Sequence, residues 1–100
     1  MMSDTILDEA KKLVYGPRQE EYGHPIDDFT RTAKMWSAIL GVPIDAEQVG
    51  LCMIAVKISR HCWRTKTDNL VDIAGYAETL NLIRKKRAID GSKSQAYTTK

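Results

Sequence analysis

Apolar residues recur at three- and four-residue spacing along most of this 100-residue chain, and nowhere do they alternate strictly with polar ones. The pattern predicts an all-α fold of four helices. The first, over about 4 to 15, sets Ile6, Leu7, Ala10, Leu13 and Val14 on one stripe and stops at Gly16-Pro17. The second begins with Pro25 in its first turn, turns Ile26, Phe29, Ala33, Trp36 and Leu40 inward, and closes at Gly41 and Pro43. Asp45 and Gln48 have the spacing of a capping box that starts the third. From Val49 that helix is apolar nearly all round until Lys57, which predicts a central position. Thr67 is expected to cap the fourth, whose inward stripe is Leu70, Val71, Ala74, Ala77, Leu80 and Ile83. Its C-terminal end carries Lys85, Lys86 and Arg87, which suit the negative pole of the helix dipole.

The short connection between the third and fourth helices implies an antiparallel hairpin centred near residue 66. Arg64 is then expected to face Asp68, Arg60 to face Asp72, and Lys57 to face Gly75 and Tyr76. Lys57, Arg60, His61 and Arg64 fall on one side of their helix, as do Asp68 and Asp72 on theirs, so one charged seam crosses the hairpin. A lysine in the most apolar stretch of the chain needs a partner, because an ammonium is costly to bury alone. Gly75 within a helix implies a close approach to its backbone. The plain reading of the seam is an ion-pair network that fixes register. The functional reading is a ligand site in which Lys57, Arg60, His61, Asp68, Asp72 and Tyr76 supply cations, hydrogen bonds and an aromatic face.

A second cluster, 16 to 25, reads as a loop between the first two helices and carries Arg18, Tyr22 and His24. It ends at a helix N-terminus, where free N–H groups favour an anion such as a phosphate, and the competing reading is a solvated turn. Asp68 and Asp72 are the candidate Mg²⁺ ligands, weighed against the expected pairing of Asp72 with Arg60. Asp27 and Asp28 are adjacent and diverge by about 100° on a helix, so they make a poor metal pair. The two histidines and two cysteines lack zinc-site spacing.

Composition sets the scale of the molecule. With 43% apolar and 28% charged residues, the chain fits one domain over 1–88, followed by a polar tail over 89–100 that is expected to be mobile. A core this small favours self-association, so a homo-oligomer, a dimer or higher, is expected. A formal charge of +2 gives no strong field for nucleic acid or a membrane surface. Cys52 and Cys62 are about 15 Å apart along one helix, too far to bridge, and read as reduced core thiols. The acidic start of the chain is unlike a secretory signal, and a cytoplasmic location is expected.

Arg18-Gln-Glu-Glu-Tyr-Gly-His-Pro25, Phe29, Trp36-Ser-Ala-Ile-Leu-Gly41, Val56-Lys-Ile-Ser-Arg60 and Asp68-Asn-Leu-Val-Asp-Ile-Ala-Gly-Tyr-Ala77 together resemble a small phage-encoded domain of unassigned function, over about residues 8 to 83. That domain is similar to the all-α nucleoside triphosphate pyrophosphohydrolases of the MazG-like superfamily and to phage nucleotide modification associated domains. The resemblance implies an oligomeric four-helix, MazG-like bundle that binds nucleotides between helices, with Mg²⁺ held by Glu-x-x-Glu and Glu-x-x-Asp. This chain departs from that set. Its second helix reads Asp27-Asp-Phe-Thr-Arg31, and its fourth offers Asp68 and Asp72 four residues apart. Metal-assisted attack on a phosphate needs several carboxylates, whereas binding needs cations, donors and aromatic faces. The expectation is therefore a protein that binds and sequesters a nucleotide or nucleotide-derived signal, in an anti-defence role, without efficient turnover. A Mg²⁺-dependent pyrophosphohydrolase and a helical adaptor using Trp36 or Trp63 are the alternatives.

Overall fold

The computed structural model describes residues 4–90, and these are all-helical, with four main helices and one short additional one. They are α1 (Ile6–Tyr15), α2 (Pro17–Tyr22), α3 (Pro25–Leu40), α4 (Ala46–Trp63) and α5 (Thr67–Ile89). Of the tail expected over 89–100, all but residues 89 and 90 lie outside the described residues.

Local chemistry sets most boundaries. Thr5 and Asp8 form a reciprocal capping box at α1, and Asp45 and Gln48 form another at α4, each satisfying two N–H groups that a helix start leaves free. Pro25 occupies the first turn of α3, where its missing N–H costs nothing, and Gly41 ends the helix in the left-handed conformation at φ 74°. At the α3–α4 turn the Ser37 hydroxyl donates to the Ala33 carbonyl and accepts from the Ile44 N–H, both at 2.8 Å. Thr67 does not cap α5. The cap position belongs to Lys66, which makes no side-chain cap bond, and Thr67 is already helical.

The central element is α5, not α4. It packs against α4 along the hairpin, against α1 on another side, and against α3. Phe29 and Ala33 of α3, Ala46 and Val49 of α4 and Ile83 of α5 form the main core, with Trp36, Met53 and Tyr76 packed around it. Ile83 is fully buried, a placement worth about 2 to 3 kcal/mol. Arg87 reaches Glu47 at 2.9 Å and ties the end of α5 to the start of α4.

The two glycines within α4 and α5 reverse the expectation for the hairpin. Gly75 faces α1, where an added Cβ would lie 3.7 Å from Val14 Cγ2, an ordinary contact. Gly50 makes the tight crossing instead, since a Cβ there would overlap the Leu80 side chain, lying 3.0 Å from its Cγ, and would sit 3.5 Å from the Phe29 ring. Among the described residues, the buried positions of α4 are Ala46, Val49 and Gly50, all on the side that bears Gly50. Cys52 and Cys62 are exposed, so they are not core thiols.

Candidate functional site

The segment between α1 and α3 is helical rather than a loop, and this organises the site. Pro17 opens α2 and Gly23, at φ 79°, closes it, so Arg18 and Tyr22 fall one turn apart. The Arg18 guanidinium lies over the Tyr22 ring at 4.9 Å from its centroid, a cation–π contact, and its Nη2 donates to Asp28 Oδ2 at 3.1 Å. Arg18 is thus half-buried and anchored to α3, not free on a loop.

Between α1, α2 and α5 lies an open cleft of about 340 Å³. Leu13 and Val14 come from α1, Arg18, Glu21 and Tyr22 from α2, and Asp72, Gly75, Tyr76 and Thr79 from α5. Gly75, with no side chain, leaves room beside Val14, and Thr79 lies buried at the floor. Tyr76 is held from behind by Phe29, with ring centroids 6.3 Å apart and planes tilted by 50°. Of the residues expected to bind a ligand, Arg18, Tyr22, Asp72 and Tyr76 therefore share one cleft.

The others lie elsewhere. Asp72 pairs with Lys57 at 2.9 Å, not with Arg60, and Lys57 stands behind Asp72 rather than in the cleft lining. Lys57 lies on the side of α4 that meets α5, whereas Arg60 points to solvent. Arg64 and Asp68 are both exposed, with no ion pair between them. His24 is the N-cap of α3, its Nδ1 accepting from the Ile26 N–H at 3.0 Å, and with Asp27 and Asp28 in the first turn that helix start is already supplied with acceptors and negative charge. His61 similarly accepts from the Lys66 N–H at 3.2 Å and fastens the hairpin turn. Asp68 does not join Asp72 in the cleft, and among the described residues no group of three or more His, Cys, Asp or Glu side chains is placed to hold a metal ion.

Reading the sequence missed Glu21, Thr79 and the role of Asp28. The available signal was Pro17 followed by four good helix formers and Gly23, which is the composition of a short helix, and a helix puts Arg18 and Tyr22 together. A second cleft, of about 510 Å³ on the other side of α1, is lined by Leu7, Tyr15, Ala74 and Glu78. There the Tyr15 hydroxyl donates to the Glu78 carboxylate. That bond raises Tyr15 above its ordinary pKa and, helped by the Asn81 amide at 3.2 Å, lowers Glu78.

Among the described residues no helix is long and apolar enough to cross a membrane. The chain is similar to the Gene 55 protein of Mycobacterium phage D29, 39% identical over 77 residues, which cover 76% of this chain and 51% of that one. It is also 37% identical over 78 residues to the Gene 55 protein of Mycobacterium phage L5, covering 76% of this chain and 50% of that one. The chain thus spans about half the length of these relatives. No solved structure matches it. The match over residues 5–84 shows that the chain belongs to the family described as a domain of unknown function, DUF6378.

Proposed function

We propose that the cleft between α1, α2 and α5 binds a nucleotide or nucleotide-derived signal, and that a phage uses the protein to sequester that ligand rather than to turn it over. The observation that carries this reading is the meeting of Arg18, Tyr22 and Tyr76 around one cleft with apolar walls from Leu13 and Val14. Its volume, about 340 Å³, lies within the range of small-molecule sites. Tyr22 and Tyr76 offer faces for a base, Asp72 and Glu21 can accept from exocyclic amino groups, and Arg18 is the cation for a phosphate. Lys57 acts through Asp72, holding the carboxylate in place, and Arg60 has no part.

The alternative, a Mg²⁺-dependent nucleotide pyrophosphohydrolase of the MazG-like type, draws on the carboxylates Glu21 and Asp72 within the cleft. Calorimetry with nucleoside mono-, di- and triphosphates, dinucleotides and cyclic nucleotides, with and without Mg²⁺, separates the two when product is followed in parallel. Binding without product is expected, weakened about tenfold by Arg18→Ala, as loss of one charge-assisted bond implies. Pyrophosphate release with Mg²⁺ would move the hydrolase to first place. No binding across the panel would reject both.

A further inference from the structure

The outer side of α4 is a continuous apolar surface that none of the other described residues covers. Ala46, Val49 and Gly50 are buried toward the molecule, with Met53 and Lys57 half-buried beside them. On the opposite side Cys52, Ala55, Ser59 and Cys62 are all exposed, at spacings of three, four and three residues, and run along the middle of the face. Leu51 and Ile58 flank this strip on one side, and Val56 and Trp63 on the other. A single exposed leucine is ordinary, but a helix-long apolar face is not.

We propose that this face pairs with the same face of a second copy of the chain, the two α4 helices lying antiparallel about a two-fold axis near Lys57. Two features favour a second copy over any other occupant. The first is the pattern of sizes. Turning one helix end for end about residue 57 sets Cys52 level with Cys62 of the other copy and Ala55 level with its Ser59, so small meets small and the backbones can approach closely. Along the flanks, Ile58 comes beside Ile58 of the other copy and Val56 beside its Val56. Leu51 and Trp63 go to the outer ends, where they do not collide. The same surface is thus its own complement, as a two-fold interface requires.

The second feature is area. With Leu51 58%, Val56 37%, Ile58 50% and Trp63 90% exposed, these four side chains and the small residues between them offer roughly 700 Å², near the about 800 Å² per partner of a stable complex. Their burial would also relieve the shortage of core expected for a domain this small. The face lies opposite the side of α4 that meets α5, so the dimer leaves the Arg18 cleft open and stands or falls independently of what that cleft binds.

Sedimentation velocity between about 1 and 100 μM tests it, a range set by typical affinities. The expected result is a species of twice the 11.3 kDa chain mass that dissociates on dilution. Ile58→Arg should give monomers with an unchanged helical circular-dichroism spectrum, because the side chain it replaces is half exposed. Met35→Arg, at an exposed apolar residue on α3, should leave the dimer intact. Orientation is read by mixing a Cys52→Ser chain with a Cys62→Ser chain and adding a short bismaleimide. The antiparallel pairing predicts cross-linking mainly in the mixture, whereas a parallel pairing predicts it within each chain alone. A parent that stays monomeric at the highest concentration, or an Ile58→Arg variant that remains dimeric, would overturn the proposal. Cross-linking within each chain alone would overturn the orientation.

Discussion

The Lys57 ammonium lies 2.9 Å from the Asp72 carboxylate, and this pair joins α4 to α5 directly behind the candidate cleft. Its side chains are 17% and 31% exposed, so the ions are partly desolvated, and losing one partner strands the other. Lys57→Met is expected to cost about 1 to 2 kcal/mol, below the 3 to 5 typical of a fully buried pair. Arg60→Ala, three residues on and exposed, should change stability by less than about 0.5 kcal/mol. Urea denaturation of both variants checks the assignment, and equal losses would mean that Asp72 shares its charge between them.

Gly50 and Gly75 should respond to alanine in opposite ways. At Gly75 the new methyl group meets Val14 at ordinary contact distance, so the gain in helix propensity, up to about 1 kcal/mol, should appear as added stability. At Gly50 the methyl group runs into Leu80, which must move, and overpacking of 1 to 3 kcal/mol offsets or exceeds the same gain. Thermal melts should therefore rank Gly75→Ala above the parent and Gly50→Ala at or below it, with Gly50→Val lower still. A Gly50→Val variant that melts with the parent would show that the α4–α5 crossing is looser than described.

These results bear on what the sequence could reveal. The phase of α3 was legible over most of its length, since Phe29 and Ala33 are buried as their spacing implies, whereas Leu40, expected inward at the end of the helix, is 62% exposed. The Asp45–Gln48 box was legible because capping is a local rule. α4 was not legible in the same way: apolar nearly all round, it carries no signal for which side meets α5. From that one ambiguity follow the misplaced pairing of Arg60 with Asp72, the core assignment of Cys52 and Cys62, and the expectation of a close helix crossing at Gly75. The cleft was half legible. Tyr76 and Asp72 share a helix, but Arg18 and Tyr22 join them only because α2 exists, and a six-residue helix leaves little periodicity to read.

The Tyr15–Glu78 bond should give the fold a pH signature. Glu78 has its folded pKa lowered, so its contribution is present above the ordinary value of 4.5 and is lost as pH falls through the folded value. Tyr15 has its folded pKa raised, so its contribution is present below the ordinary value of 10.0 and is lost as pH rises through the folded value. Both groups are largely in contact with water, which limits the effect to under about 1 kcal/mol. Tyr15→Phe should therefore melt below the parent at pH 7, with the gap closing as pH falls through the folded pKa of Glu78. A difference that persists undiminished at pH 3 would assign the loss to packing of the ring instead.

Asp28 offers a way to test whether Arg18 is the phosphate-facing cation. The carboxylate lies 3.1 Å from the guanidinium and is mostly buried, so it both orients Arg18 and offsets its charge. Asp28→Asn keeps an oxygen that can accept the same hydrogen bond but removes the negative charge. Orientation is then retained while attraction for an anion grows, and the Tyr22 ring continues to hold the guanidinium from the other side. Binding of a phosphorylated ligand should tighten by about threefold, equivalent to about 0.7 kcal/mol, and should become more sensitive to salt. Asp28→Ala, which loses the acceptor as well, should not show the gain, and stability should fall by under about 1 kcal/mol in either variant. Calorimetry at two ionic strengths reads all of this. Weaker binding in Asp28→Asn, with no change in salt dependence, would place the phosphate away from Arg18.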